Sequence, residues 1–203
     1  MPTDEDFKTR ARVIVERMAE VSRIVYAIPS AIGRAAIEAA IGDAGLTVVE
    51  VDPETEVARF TDDGGDDTLV LLSRDDLGVF IFEARGSHAV ERVRTILSKV
   101  PFVPQSKLLR EAIDVASPDA PKALLVLAHC VVTWDDDWGD LFLLHLASPD
   151  PIARHNAVAS TFLAAMVSGA NARAVELLRE ASAREKFPKL KETIDDAIER
   201  LGS

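Results

Sequence analysis

Apolar and polar residues change rhythm twice along this chain, and the three regimes predict different elements. In the first, Phe7, Ala11, Ile14, Met18 and Val21 repeat at helical spacing, and Thr3 with Asp6 three residues later resembles a helix start with an acidic first turn. The stripe runs on through Val25 and Ile28, but Ile24, Val25, Tyr26 and Ile28 are strand formers, so residues 23–28 stay open between helix and strand. Ser30 then has the chemistry to cap a second helix over 31–41, which Gly42 and Gly45 end.

The second regime is a series of short strand-like runs, 46–51, 56–61, 68–73 and 79–84. Their joints are Asp52-Pro53-Glu54, Asp62-Asp63-Gly64-Gly65-Asp66-Asp67 and Arg74-Asp75-Asp76-Leu77-Gly78. Each joint has turn chemistry and is too short for a crossover helix, which predicts an antiparallel meander of four strands. After Gly86, where Ser87 reads as a helix cap, Val90, Val93, Ile96, Leu97 and Val100 mark a helix stopped by Pro101. Helices before and after a meander predict an α+β unit with one sheet face covered.

Residues 101–105 hold two prolines and no periodicity, and they set a predicted boundary between domains 1–103 and 104–203. In the third regime only helical spacing remains, over 106–116, 121–133, 138–147, 151–168, 171–183 and 188–201. Within it, Ser117-Pro118-Asp119 recurs as Ser148-Pro149-Asp150, 31 residues on. The same shift lays Val126, Leu127 and Val131 onto Ala157, Val158 and Phe162, and Ile113 and Ala116 onto Leu144 and Ala147. Both helices of a hairpin are matched, as stacked helical hairpins require.

The second copy reads Asp150-Pro151-Ile152-Ala153-Arg154-His155-Asn156-Ala157, which resembles the helix start of HEAT repeats. The resemblance implies that Asp150 and Arg154 bridge neighbouring repeats and that Ala157 permits close helix packing. The first copy departs from the pattern, with Ala123 in place of the arginine and its proline displaced by one. No third copy follows at the same offset, and two repeats fall short of the three a free-standing solenoid needs. The expected architecture is therefore α+β: an N-terminal antiparallel β-meander with flanking helices, then an all-α HEAT-like helical stack packed against it. The N-terminal half also resembles YbjN-like and type III secretion chaperone α+β domains, through a helix ending at Ala44-Gly45-Leu46 followed by an acidic meander and a helix. That resemblance implies binding of another protein.

Charge sharpens the picture. Of a formal net charge of −11, residues 43–83 alone carry twelve acidic side chains against Arg59 and Arg74. Such a field repels nucleic acid and anionic membrane and favours a basic protein as partner, although acidity also serves plain solubility. A homo-oligomer stays open. No apolar stretch approaches the length of a membrane span and the N-terminus is acidic where a signal peptide is basic, so a cytoplasmic protein is expected. Cys130, the lone cysteine, lies in an apolar run and reads as a buried small hydrophobe.

Two constellations are candidate partner-binding sites. Trp134-Asp135-Asp136-Asp137-Trp138-Gly139-Asp140 gathers both tryptophans around carboxylates, and Trp134, Asp135, Asp136, Asp137, Trp138 and Asp140 could grip a lysine- or arginine-rich partner by charge and cation–π contact. The competing reading, favoured here, is that the aspartates cap a helix while the indoles pack inward. The second site is Asp62, Asp63, Asp66 and Asp67, which also invites comparison with a calcium loop, yet lacks the ligand spacing and closing glutamate that an EF-hand needs. His88, His129, His145 and His155 show no metal-ligand spacing, Ser87-His88 has no nucleophile elbow beside it, and no phosphate-binding glycine loop occurs, so neither metal nor cofactor is expected. These features predict a non-catalytic adaptor or scaffold. The sharper version is an immunity or chaperone protein that neutralises a basic partner, and the rival class is an enzyme with a dispersed active site.

Overall fold

A computed structural model describes residues 23–202. The helix expected over Phe7 to Val21 lies outside them. The chain divides into two units, Met1–Phe102 and Val103–Ser203.

In the first unit the residues left open between helix and strand form β1 (Arg23–Pro29). A 3-10 turn over Ser30–Ile32 leads to α1 (Arg34–Asp43), then β2 (Thr47–Asp52), β3 (Val57–Thr61), β4 (Thr68–Arg74), β5 (Val79–Arg85) and α2 (Ala89–Leu97). The sheet has five strands, not four, in the order β1-β5-β4-β3-β2, and every neighbouring pair is antiparallel. Tight acidic turns make β2 to β5 a meander, and β1 joins it by pairing with β5 from Arg23 opposite Arg85 to Pro29 opposite Val79. Ser30 does not cap α1: it opens the 3-10 turn, and α1 starts after Gly33, whose φ of 80° suits a residue without a Cβ.

Alternation places Ile24 and Ile28 of β1, Phe80 and Phe82 of β5, Leu69 and Leu71 of β4, and Ala58 and Phe60 of β3 on one face. They share a core with Ile37, Ala40 and Ile41 of α1 and Ala89, Val93 and Ile96 of α2. Phe82 is fully buried, so its truncation to alanine costs about 3–5 kcal/mol. One covered face is not the whole account, because Val25, Ala27, Val79 and Ile81 on the opposite face of β1 and β5 are buried as well.

The second unit is helical: α3 (Gln105–Ile113), α4 (Ala120–Cys130), α5 (Asp136–Leu146), α6 (Pro151–Ser168), α7 (Asn171–Arg184) and α8 (Pro188–Gly202). Consecutive helices pack as pairs, α3 with α4, α5 with α6 and α7 with α8. Pairs then stack through alternate helices, α4 on α6, α6 on α8 and α5 on α7. There are thus three pairs where the sequence offset disclosed two. Fully buried Ala157, Ala164 and Ala165 give α6, the central helix, small faces against its neighbours, while Leu124 and Leu127 of α4, Leu178 of α7 and Ile194 of α8 fill the interior. Buried His145 of α5 lies with Nε2 2.7 Å from the Ala112 carbonyl of α3. Burial holds its pKa below the ordinary imidazole value against that hydrogen bond, so the neutral ring donates from Nε2. Cys130 ends α4 half-buried, less enclosed than its apolar sequence context suggests.

The two serine-proline-aspartate phrases open equivalent helices, α4 and α6, each the second of its pair. Both corners use one local device: the Asp119 amide donates to Ser117 Oγ at 3.3 Å and the Asp150 amide to Ser148 Oγ at 3.2 Å. They differ where the prolines differ. Asp150 is extended (ψ 120°) and caps the Ile152 amide at 3.0 Å, with Pro151 as the first helical residue, whereas Asp119 is already helical (ψ −13°) and caps nothing with its side chain.

Candidate interaction site

The 62–67 turn joins β3 to β4, and its aspartates have separate roles. Asp67 is buried, although aspartate is rarely so, because it is surrounded by donors. Its Oδ1 accepts the His88 amide at 2.9 Å, and its Oδ2 accepts Arg92 Nε at 2.6 Å. A carboxylate from a distant turn thus satisfies an amide at the start of α2 and opposes that helix's dipole. Ser87 does not cap the helix; its Oγ lies 3.0 Å from His88 Nδ1. The Arg92 guanidinium extends the junction, donating from Nη2 to Asp62 Oδ2 at 3.1 Å and from Nη1 to the Ala44 carbonyl at 2.6 Å, beyond the end of α1. Burial alone would raise the Asp67 carboxyl; the Arg92 hydrogen bond, the His88 amide and the charges of Arg92 and His88 outweigh it and hold the group below the ordinary carboxylate value. Gly86 makes the fit feasible, since a Cβ there would stand 2.3 Å from Asp67 Oδ1.

Asp62 and Asp67 therefore tie α1, α2 and the β3–β4 turn together, whereas Asp63 and Asp66 are exposed on the same turn. Both cations of residues 43–83 are already engaged, Arg59 with Glu50 at 3.0 Å and Arg74 with Asp76 at 2.8 Å. Asp52 is drawn into its own turn, accepting Thr55 Oγ1 at 2.6 Å and the Glu54 amide at 2.9 Å, which lowers its pKa. Exposed Glu54, Glu56, Asp63 and Asp66 have no basic side chain paired to them among the described residues. The turn carries no calcium-loop arrangement: among the described residues no group of three histidine, cysteine or carboxylate side chains could hold a metal ion.

At the second constellation, exposed Asp135 caps α5, accepting the Trp138 amide at 3.1 Å, and Asp136 is the first residue of that helix. Trp134 and Trp138 are half-buried and both pack on fully buried Phe142, with ring centroids 5.1 Å and 6.2 Å from it. The Trp134 Nε1 is buried without a hydrogen-bond partner among the described residues. Asp137 and Asp140 are exposed on the first turns of α5. Each indole thus packs on Phe142 while remaining partly exposed beside the carboxylates of this corner.

A third cluster centres on Arg154, whose partner Glu185 the sequence reading missed. Arg154, near the start of α6, donates from Nε and Nη2 to Glu185 at 2.7 Å and 3.0 Å and from Nη1 to the Ser148 and Pro149 carbonyls at 2.9 Å and 3.1 Å. Glu185 also accepts the Lys186 and Phe187 amides at 2.9 Å. The Arg154 hydrogen bonds first, then the Phe187 amide and the Arg154 charge, hold the Glu185 carboxyl down at about 2 against the effect of burial. The pair links the α5–α6 corner to the α7–α8 corner, so Arg154 does bridge successive pairs, through Glu185 and not through Asp150. A cleft of about 310 Å³ adjoins it, with Leu143, Leu146 and Ala181 on its walls and Arg184 and Lys186 at its lip. An acid held at about 2 and a guanidinium raised above its ordinary value exchange no proton near neutrality, so this ion pair is a brace and not an acid–base couple.

Ser87, His88 and Asp67 invite comparison with a nucleophilic triad, but the Ser87 hydroxyl and the Asp67 carboxylate both approach His88 Nδ1, at 3.0 Å and 3.3 Å. A relay needs them on opposite ring nitrogens. Among the described residues no helix is long and apolar enough to cross a membrane. Comparison with known protein families, with curated proteins and with solved structures finds no match to this chain.

Proposed function

We propose that this chain is a non-catalytic protein-interaction module, an adaptor or scaffold whose acidic N-terminal unit receives a basic protein. One observation carries the reading: the acidic segment has its two arginines committed to local pairs, and Glu54, Glu56, Asp63 and Asp66 are exposed with no cation beside them among the described residues. Uncompensated carboxylates on the turns at the two ends of β3 attract a cationic surface and accelerate its encounter. The HEAT-like stack supplies a second scaffold surface in this reading, and an immunity or chaperone protein that neutralises a basic partner is its sharper form.

The test is affinity capture from the native host, with co-purifying proteins identified by mass spectrometry. A basic partner should be captured at low salt, lost on raising the ionic strength, and lost when Glu54, Glu56, Asp63 and Asp66 are reversed to lysine together. These four positions leave the Arg92 junction intact. A partner retained through reversal and high salt alike overturns the reading, as does turnover of a small molecule by the purified chain.

A further inference from the structure

The edges of the five-stranded sheet differ. At one edge, β1 buries Ile24, Val25, Ala27 and Ile28. At the other, β2 leaves Val48, Val49 and Val51 at 55%, 60% and 53% exposure. Register places Val48 opposite Phe60 and Val51 opposite Ala58, whose side chains belong to the core beneath α1 and α2, so the apolar floor continues one strand beyond its cover. Val49 is the extra residue of a bulge between Val48 and Glu50. Edge strands are ordinarily guarded by lysine, proline, a bulge or cover; β2 has the bulge at Val49 but neither lysine nor proline, and its three valines stay exposed.

Both ends of β2 are acidic. Thr47 pairs with Thr61, next to the 62–67 turn, and Asp52 leads into the turn that carries Glu54 and Glu56. A second copy paired edge to edge would set acidic residues against their own kind. We propose that β2 receives an extended segment of another protein as a sixth strand, with β-branched residues at the segment's centre and lysine or arginine at both of its ends. Main-chain hydrogen bonds along β2 supply affinity, the valines select apolar side chains, and the flanking carboxylates select the charge. This inference rests on the basic-partner reading and adds the mode of binding.

Two synthetic peptides of equal charge separate the two, acetyl-KKVTVTKK-amide and acetyl-KKVPVPKK-amide, because proline breaks the ladder and spares the cations. Amide chemical shifts and hydrogen exchange of the full chain report where each binds. The first peptide should bind at least tenfold more tightly than the second and protect amides of residues 47–52. Replacing Val49 and Val51, both more than half exposed, by lysine should erase that preference. Equal binding of the two peptides, lost in salt, leaves the acidic surface standing and overturns strand addition. Binding of neither peptide, or concentration-dependent pairing of β2 with a second copy, overturns it too.

Discussion

Replacing Arg92 by methionine keeps the aliphatic stem and removes every bond that the guanidinium makes. Asp67 then holds a carboxylate whose side chain is 2% exposed, left with the His88 amide at 2.9 Å and the His88 ring at 3.3 Å. Breaking a buried pair in this way costs about 3–5 kcal/mol. Arg92 itself is 22% exposed, so water enters the space it leaves and the low end, about 3 kcal/mol, applies, with up to about 1 kcal/mol more for the orphaned Ala44 carbonyl. The charge part must vary with pH. In the natural chain the Asp67 carboxyl lies below its ordinary value, so its contribution is complete above that value and lost as pH falls through the depressed one. In the variant burial is unopposed by the guanidinium and the carboxyl rises, so between the two native values each pH unit removes about 1.4 kcal/mol of the difference. Urea unfolding followed by circular dichroism should show a deficit of about 3 kcal/mol at pH 7 that shrinks as the pH is lowered through the acid range. A deficit under about 1 kcal/mol at pH 7, or one that does not change with pH, refutes the account of a buried carboxylate neutralised by Arg92.

Two further substitutions test the same physics elsewhere. Gly86→Ala should cost more than about 2 kcal/mol in a thermal melt, because the residue sits at φ 127° and its methyl would stand 2.5 Å from the Asp66 carbonyl oxygen; a melt unchanged from the natural chain would disprove the close approach. Glu185→Gln should cost about 3 kcal/mol at pH 7 and flatten the acid limb of calorimetric stability, since a carboxyl at about 2 contributes fully above its ordinary 4.5 and loses that contribution as pH falls towards 2; an acid limb identical to that of the natural chain would refute it.

The meander was legible because its turns announce themselves and its strands follow a period of two. β1 was not, because Ile24, Val25, Tyr26 and Ile28 suit a helix stripe and a strand alike, and what decides between them is pairing with β5, more than fifty residues away. The helical repeat was legible for two pairs and hidden for the third. α6 runs 18 residues where α4 runs 11, so Pro188 opens α8 37 residues after Pro151 opens α6, out of step with the offset of 31. The Arg154–Glu185 brace had a signal that went unused, since Glu185 lies one offset of 31 beyond Arg154. The double role of the 62–67 turn had none. Nothing local distinguishes Asp67, bound to Arg92, from Asp66, which meets solvent, because the difference arises when α2 packs against the sheet.

Both tryptophans stack about Phe142 in the second unit, and Tyr26 is the first unit's one other indole or phenol chromophore, since the chain contains a single tyrosine. Indole emission therefore originates in the helical unit alone. Neither the strand β2 nor the sheet around Asp67 carries an indole of its own. A tryptophan placed at Val49 would give that edge its own signal and turn strand binding into a spectral shift.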